Sequence, residues 1–180
     1  TDCNGSGGKH YFVKDTSRDD AWKLSTPGET GSFAVDGGVI THSSMITGKG
    51  VSVTNGSRFT MYNGTICGND CSDNRGAGVE VHQGAFAMYG GAIKGNVTTD
   101  GGGVFVNGNA VFTMHGGEIS DNRATESGGG VYVGSRNDYT TDAAAFTMTG
   151  GTISGNAVTG KAANGGGVYV GSEYGSEHSD

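Results

Sequence analysis

The 180 residues carry a formal net charge of -7 and a pI near 5.0, and the eleven Lys and Arg are scattered. This excludes the clustered cationic surface that a nucleic-acid partner or an anionic membrane requires. Hydrophobic residues make up 33%, glycine occupies 37 positions and proline one, so helix-on-sheet layers would be short of apolar surface. No Gly-every-third period points to collagen, and no run of about 18 apolar residues predicts membrane insertion.

In chain order, residues 1–32 read as a short N-terminal cap. Within it "DDAWKLS" can form one or two helical turns, with Trp22 as a lid over the first coil. The opening "TDCNGSGGKHYF" has neither the basic nor the apolar region of a secretory leader, so any such segment is expected to have been removed already. The three cysteines are Cys3, Cys67 and Cys71. Cys67 can bridge to Cys71 across one turn, and either can pair with Cys3, so one intrachain disulfide is expected at most. There is no Cys/His zinc pattern, and neither a metal nor a cofactor is expected.

From residue 33 the chain repeats itself. Phe33, Phe59, Phe86, Phe112 and Phe146 each open a copy, and seven residues later stand Ile40, Ile66, Ile93, Ile119 and Ile153. Five residues after each Phe comes glycine: Gly38, Gly64, Gly91, Gly117 and Gly151. A second element comes next, written "GVSV", "GVEV", "GVFV", "GVYV" and "GVYV". Apolar residues alternate in these four-residue pieces and glycine pairs mark corners, which predicts three very short strands per coil with alternate side chains inward. Intervals of 26 or 27 residues are too long for a hairpin meander and require like residues to stack on like. The spacing therefore predicts an all-β fold, a single-stranded parallel β-helix (solenoid) of about five coils over residues 33–171, with successive coils about 4.8 Å apart.

Ten residues after each Phe stand Ser43, Asn69, Asn96, Asn122 and Asn156. Stacked amides at one corner can bond along the axis, so Asn69, Asn96, Asn122 and Asn156 are expected to be structural. The last Phe interval grows to 34 residues through "GSRNDYTTDAAA", expected to be a loop on one face, where solenoids often bind. Residues 172–180 form an acidic C-terminal tail. An unfinished coil before that tail predicts a neighbouring domain of a larger protein, a folded-back tail or end-to-end self-association of copies into filaments.

The pattern "GGGVYV … FTMxGGxISxN" resembles the repeats of right-handed parallel β-helices of pectin-lyase-like type, and the resemblance spans residues 33–171. Right-handedness is implied by that resemblance. Such repeats occur in large secreted or surface-attached bacterial proteins, adhesin-like proteins and some carbohydrate-active enzymes. The resemblance thus implies a secreted or cell-surface location and constrains the activity far less than the fold.

Outward positions are where chemistry is expected. One column reads Ser52, Glu80, Phe105, Tyr132 and Tyr169, and a second reads Asp36, Tyr62, Tyr89, His115 and Thr149. Aromatic surface edged by polar groups suits a glycan or a cell-surface partner, which makes Glu80, Phe105, Tyr132, Tyr169, Tyr62, Tyr89 and His115 candidate ligand-binding residues, with His82 at the border. The same rings also serve as neighbour-strand stacks. For a polysaccharide-degrading enzyme two facing carboxylates are needed, and Asp100, Glu118 and Asp121 are the candidates, with Asp138 and Asp142 in the inserted loop. No nucleophile elbow, phosphate loop or calcium loop is present. The reading is a binding or adhesion module, with a polysaccharide-degrading enzyme or an end-to-end stacking subunit as alternatives.

Overall fold

The structure is a computed structural model that describes residues 32–41, 48–135, 143–161 and 163–171, with backbone alone at 72–74. Every element among the described residues is a strand. The first layer holds β1 (Ser32–Ile40) and β2 (Val51–Thr54), and the second β3 (Arg58–Cys67), β4 (Asp70–Arg75) and β5 (Val79–His82). The third is β6 (Ala85–Met88), β7 (Ala92–Lys94), β8 (Val97–Asp100) and β9 (Val104–Asn107). The fourth is β10 (Val111–Met114), β11 (Glu118–Ser120), β12 (Arg123–Ser127) and β13 (Val131–Val133). The last is β14 (Ala145–Met148), β15 (Thr152–Ser154), β16 (Ala157–Val158) and β17 (Val168–Val170).

Strands pair in parallel with their counterparts one layer away and build three sheets, so the chain is a parallel β-solenoid. An eight-stranded sheet runs β14-β10-β6-β3-β7-β11-β15, with β1 on β3. A five-stranded sheet runs β17-β13-β9-β5-β2, and a four-stranded sheet β16-β12-β8-β4. The Phe and Ile pieces are continuous in β1 and β3 and break at the Gly-Gly bend in later layers. The turns β3–β5, β6–β9 and β10–β13 have a neighbour on each side. The expected five coils therefore reduce to about three, with β1–β2 and β14–β17 as outer layers.

Register follows the repeat. Phe59 pairs with Phe86, Phe86 with Phe112 and Phe112 with Phe146, and the rings stack with centroids 4.7 to 4.9 Å apart. With Met61, Met88, Met114, Ile66, Ile93 and Ile119 they fill the interior, against Val79, Val104 and Val131 from the five-stranded sheet. Because each coil presents the same cross-section, one side chain per column suffices, which is how a chain poor in apolar residues still fills a core. In the last layer, where no further strand is described, Met148, Val168 and Val170 are exposed.

The Gly-Gly bend shows why glycine recurs five residues after Phe. Gly64, Gly91, Gly117 and Gly151 have φ of +100°, +81°, +89° and +93°. A Cβ on Gly91 would lie 2.5 Å from the carbonyl oxygen of Gly64 in the layer before. Both the backbone conformation and the close stacking of bends therefore require the residue without a side chain.

Candidate functional site

The asparagine row forms a ladder along the axis. Asn69 donates through its backbone N and Nδ2 to Oδ1 of Asn96 at 3.0 and 2.9 Å, and Asn96 donates likewise to Oδ1 of Asn122 at 3.1 and 2.8 Å. Asn122 repeats the pattern to Asn156 at 3.0 Å twice. Each Nδ2 of Asn96, Asn122 and Asn156 also reaches back to the carbonyl of Ile66, Ile93 or Ile119. Asn69, Asn96 and Asn122 are buried, so these amides satisfy corner backbone groups that water cannot reach.

Disulfide chemistry is resolved in part. Cys67 is disulfide-bonded whereas Cys71 is a buried thiol, so the Cys67–Cys71 bridge is corrected. Cys3 lies outside the described residues, as do Asp138, Asp142, the helical turns expected before residue 32 and the tail 172–180.

The two aromatic columns differ. In the five-stranded sheet Phe105 stacks on Tyr132 at 4.8 Å and Tyr169 lies tilted at 39° to Tyr132 with centroids 5.0 Å apart, yet Phe105 and Tyr132 are fully buried and Tyr169 half-buried. The expectation of an exposed aromatic stripe here is corrected. Part of the cover comes from the corner just before each strand. Gly76, Gly101, Gly128 and Gly165 all take φ near +60°, folding the chain back over the residue four positions on. A Cβ on Gly101 would lie 2.8 Å from Cβ of Phe105, and one on Gly128 2.9 Å from Cβ of Tyr132. The guanidinium of Arg75 adds a lid 5.7 Å from the centroid of the Phe105 ring. Glu80 is also engaged, with Lys49 Nζ at 2.6 Å from its Oε2 and the Ser52 hydroxyl donating to the same oxygen at 3.1 Å. Lys49 is invisible to the repeat because it precedes the "GVSV" element and has no counterpart in later coils.

On the eight-stranded sheet the second column is open to solvent. Tyr62 is 53% and Tyr89 51% exposed, and His115 is exposed beside them. Tyr62 and Tyr89 stack with centroids 5.4 Å apart at 18°, and Tyr89 and His115 at 4.6 Å and 16°. Backbone bonds fix each position, from Tyr89 N to Met61 O at 2.8 Å and from His115 N to Met88 O at 2.7 Å. The adjoining glycines permit this closeness, since a Cβ on Gly90 or Gly116 would lie 2.5 Å from the carbonyl oxygen of Tyr62 or Tyr89. Nδ1 of His115 lies 3.1 Å from the Thr149 hydroxyl, which itself donates to Met114 O at 3.4 Å. Thr149 thus engages Nδ1, and Nε2 is the ring nitrogen left to a partner, as donor or acceptor according to tautomer.

The stacking alters what this column can do. Near-parallel rings at these separations spend their faces on one another, so the column presents edges and hydroxyls along its length. Neither tyrosine hydroxyl is engaged by another described residue. The expected flat platform is thus a ridge of phenol edges, rigid because it rides on a hydrogen-bonded ladder.

The carboxylates do not converge. Asp100 is fully buried, and its Oδ1 accepts the backbone N–H of Ser127 at 3.1 Å, so it is removed as a catalytic candidate. Glu118 and Asp121 are exposed at the start and just past the end of β11, and Asp121 occupies a left-handed corner at φ +54° where Gly95 and Gly155 stand in adjacent layers. Among the described residues no group of three His, Cys, Asp or Glu side chains is placed to hold a metal ion. Comparison of the chain with protein-family models, with curated proteins and with solved structures finds no match.

Proposed function

We propose that the protein is an extracellular binding or adhesion module that presents the Tyr62–Tyr89–His115 column to a carbohydrate or a cell-surface partner. The observation that carries this reading is the exposure of more than half of two stacked tyrosines on a rigid sheet, while the equivalent rings on the five-stranded sheet are buried. Large aromatic side chains held in solvent at fixed spacing are what a binding surface needs and what folding does not. A right-handed, pectin-lyase-like coil is part of the same proposal and rests on the repeat pattern. A secreted or cell-surface location is supported by the disulfide at Cys67, since such bonds persist in oxidising compartments.

Binding of the whole chain to an array of polysaccharides, alongside a hydrolysis assay, tests the reading. Retention of a glycan without turnover, lost in a Tyr62→Ala/Tyr89→Ala variant, supports it. Turnover abolished by substituting Glu118 or Asp121 would replace it with the polysaccharide-degrading alternative.

A further inference from the structure

The geometry points to a specific mode of recognition at this column: a linear, neutral, hydroxyl-rich polymer lying along the solenoid axis, held edge-on by hydrogen bonds to the Tyr62 and Tyr89 hydroxyls and His115 Nε2. The inference rests on the binding reading above and adds the ligand's chemistry, its direction and the atoms that contact it.

Three observations carry it. The rings of Tyr62, Tyr89 and His115 already cover one another, at 5.4 and 4.6 Å and within 18° of parallel, so a sugar or aromatic face finds no open ring face between them. A ligand approaching from solvent therefore meets ring edges. The polar atoms on those edges are two phenol hydroxyls, each able to donate and accept, and the imidazole Nε2 of His115, whose other ring nitrogen is engaged by Thr149. A partner that satisfies all three must supply both hydroxyl donors and acceptors, which is the chemistry of an uncharged polyol chain.

The direction follows from the register. Successive polar edges are carried by β3, the turn after β6 and the turn after β10, and adjacent strands lie about 4.8 Å apart across the sheet. The repeat of contacts thus runs across the strands, along the axis, and an extended polymer meets all three positions only when aligned with it. The next outward column on the same sheet is low in relief, with Thr60, Ala87 and Thr113 at the paired positions, so the ridge is flanked by a shallow shelf on which an extended chain can rest.

Isosteric and truncating variants separate this mode from ring stacking. Binding of the whole chain to immobilised linear β-glucan, mannan and xylan is measured for wild type, Tyr62→Phe/Tyr89→Phe and Tyr62→Ala/Tyr89→Ala, with far-UV circular dichroism confirming the strand signal. The expected result is binding by wild type and a loss of at least roughly tenfold in affinity for the Phe pair, because both hydroxyls are gone while both rings stay. The Ala pair is expected to lose at least as much. Full binding by the Phe pair with loss in the Ala pair overturns edge-on hydrogen bonding and leaves the binding column in place. Full binding by both pairs overturns the mode and removes the Tyr62–Tyr89–His115 column as the binding site, and no binding of wild type to any of the three polymers overturns the carbohydrate-binding reading as well.

Discussion

Tyr89 and His115 stack 4.6 Å apart at 16° on the outside of the eight-stranded sheet, and each therefore covers one face of the other. Stabilisation from such a pair is modest, because exposed cross-strand ring pairs contribute roughly 0.2–1 kcal/mol. Tyr89→Ala is expected to lower unfolding free energy by about 1 kcal/mol in urea titration, whereas Tyr132→Ala, which empties a fully buried site, is expected to cost about 3–5 kcal/mol. Equal costs for the two variants would contradict the assignment of one column to the surface and the other to the interior.

The asparagine ladder makes a positional prediction. Asn96→Ala orphans the buried N–H and Nδ2 of Asn69 and removes the Nδ2 donor from Asn122 Oδ1 and from the Ile66 carbonyl, and is expected to cost about 3 kcal/mol. Asn156 lies in the half-buried outer layer, so Asn156→Ala is expected to cost about 1 kcal/mol. Denaturant midpoints of the two variants check the order.

Among the described residues, Asp121 is the one non-glycine at a corner where Gly68, Gly95 and Gly155 all have φ between +62° and +64°. Asp121→Gly relieves the strain of a side chain in the left-handed region and is expected to stabilise the protein by about 0.5–1 kcal/mol, net of the greater entropy of glycine in the unfolded chain. A lower melting temperature for this variant would assign Asp121 a stabilising contact that outweighs its backbone cost.

Cysteine reactivity depends on the bonding at Cys67 and the burial of Cys71. Without reductant, iodoacetamide is expected to label Cys71 only after unfolding and to leave Cys67 unlabelled in either state. Peptide mapping by mass spectrometry checks this, and labelling of Cys67 before reduction would contradict the disulfide.

Much of the scaffold is legible in the sequence because stacked coils demand identical residues in identical columns. Phe86, Ile93, Asn96 and Gly91 each repeat their neighbours, so spacing alone places them in the core, the ladder and the bend. Phe105 and Tyr132 depart from their expected exposure for a physical reason. Alternation decides which side of a strand a residue faces, but not what lies over that side, and the cover given by Gly76, Gly101 and Gly128 depends on their positive φ. The Tyr62–Tyr89–His115 column is legible from spacing, yet its working surface is not. Ring orientation is set by stacking geometry, which residue identity does not encode. A corner position predicts solvent for Asp100, whereas the backbone N–H of Ser127 draws it inside.

Hydroxyl-radical footprinting of the whole protein, alone and with saturating polysaccharide, reads each tyrosine separately and so distinguishes an exposed binding column from a buried one. Tyr62 and Tyr89 are expected to react readily when the protein is alone and to be protected by the bound polymer, while Tyr132 is unreactive in both conditions. A reactive Tyr132, or a bound polymer that leaves Tyr62 and Tyr89 as reactive as before, would contradict this expectation.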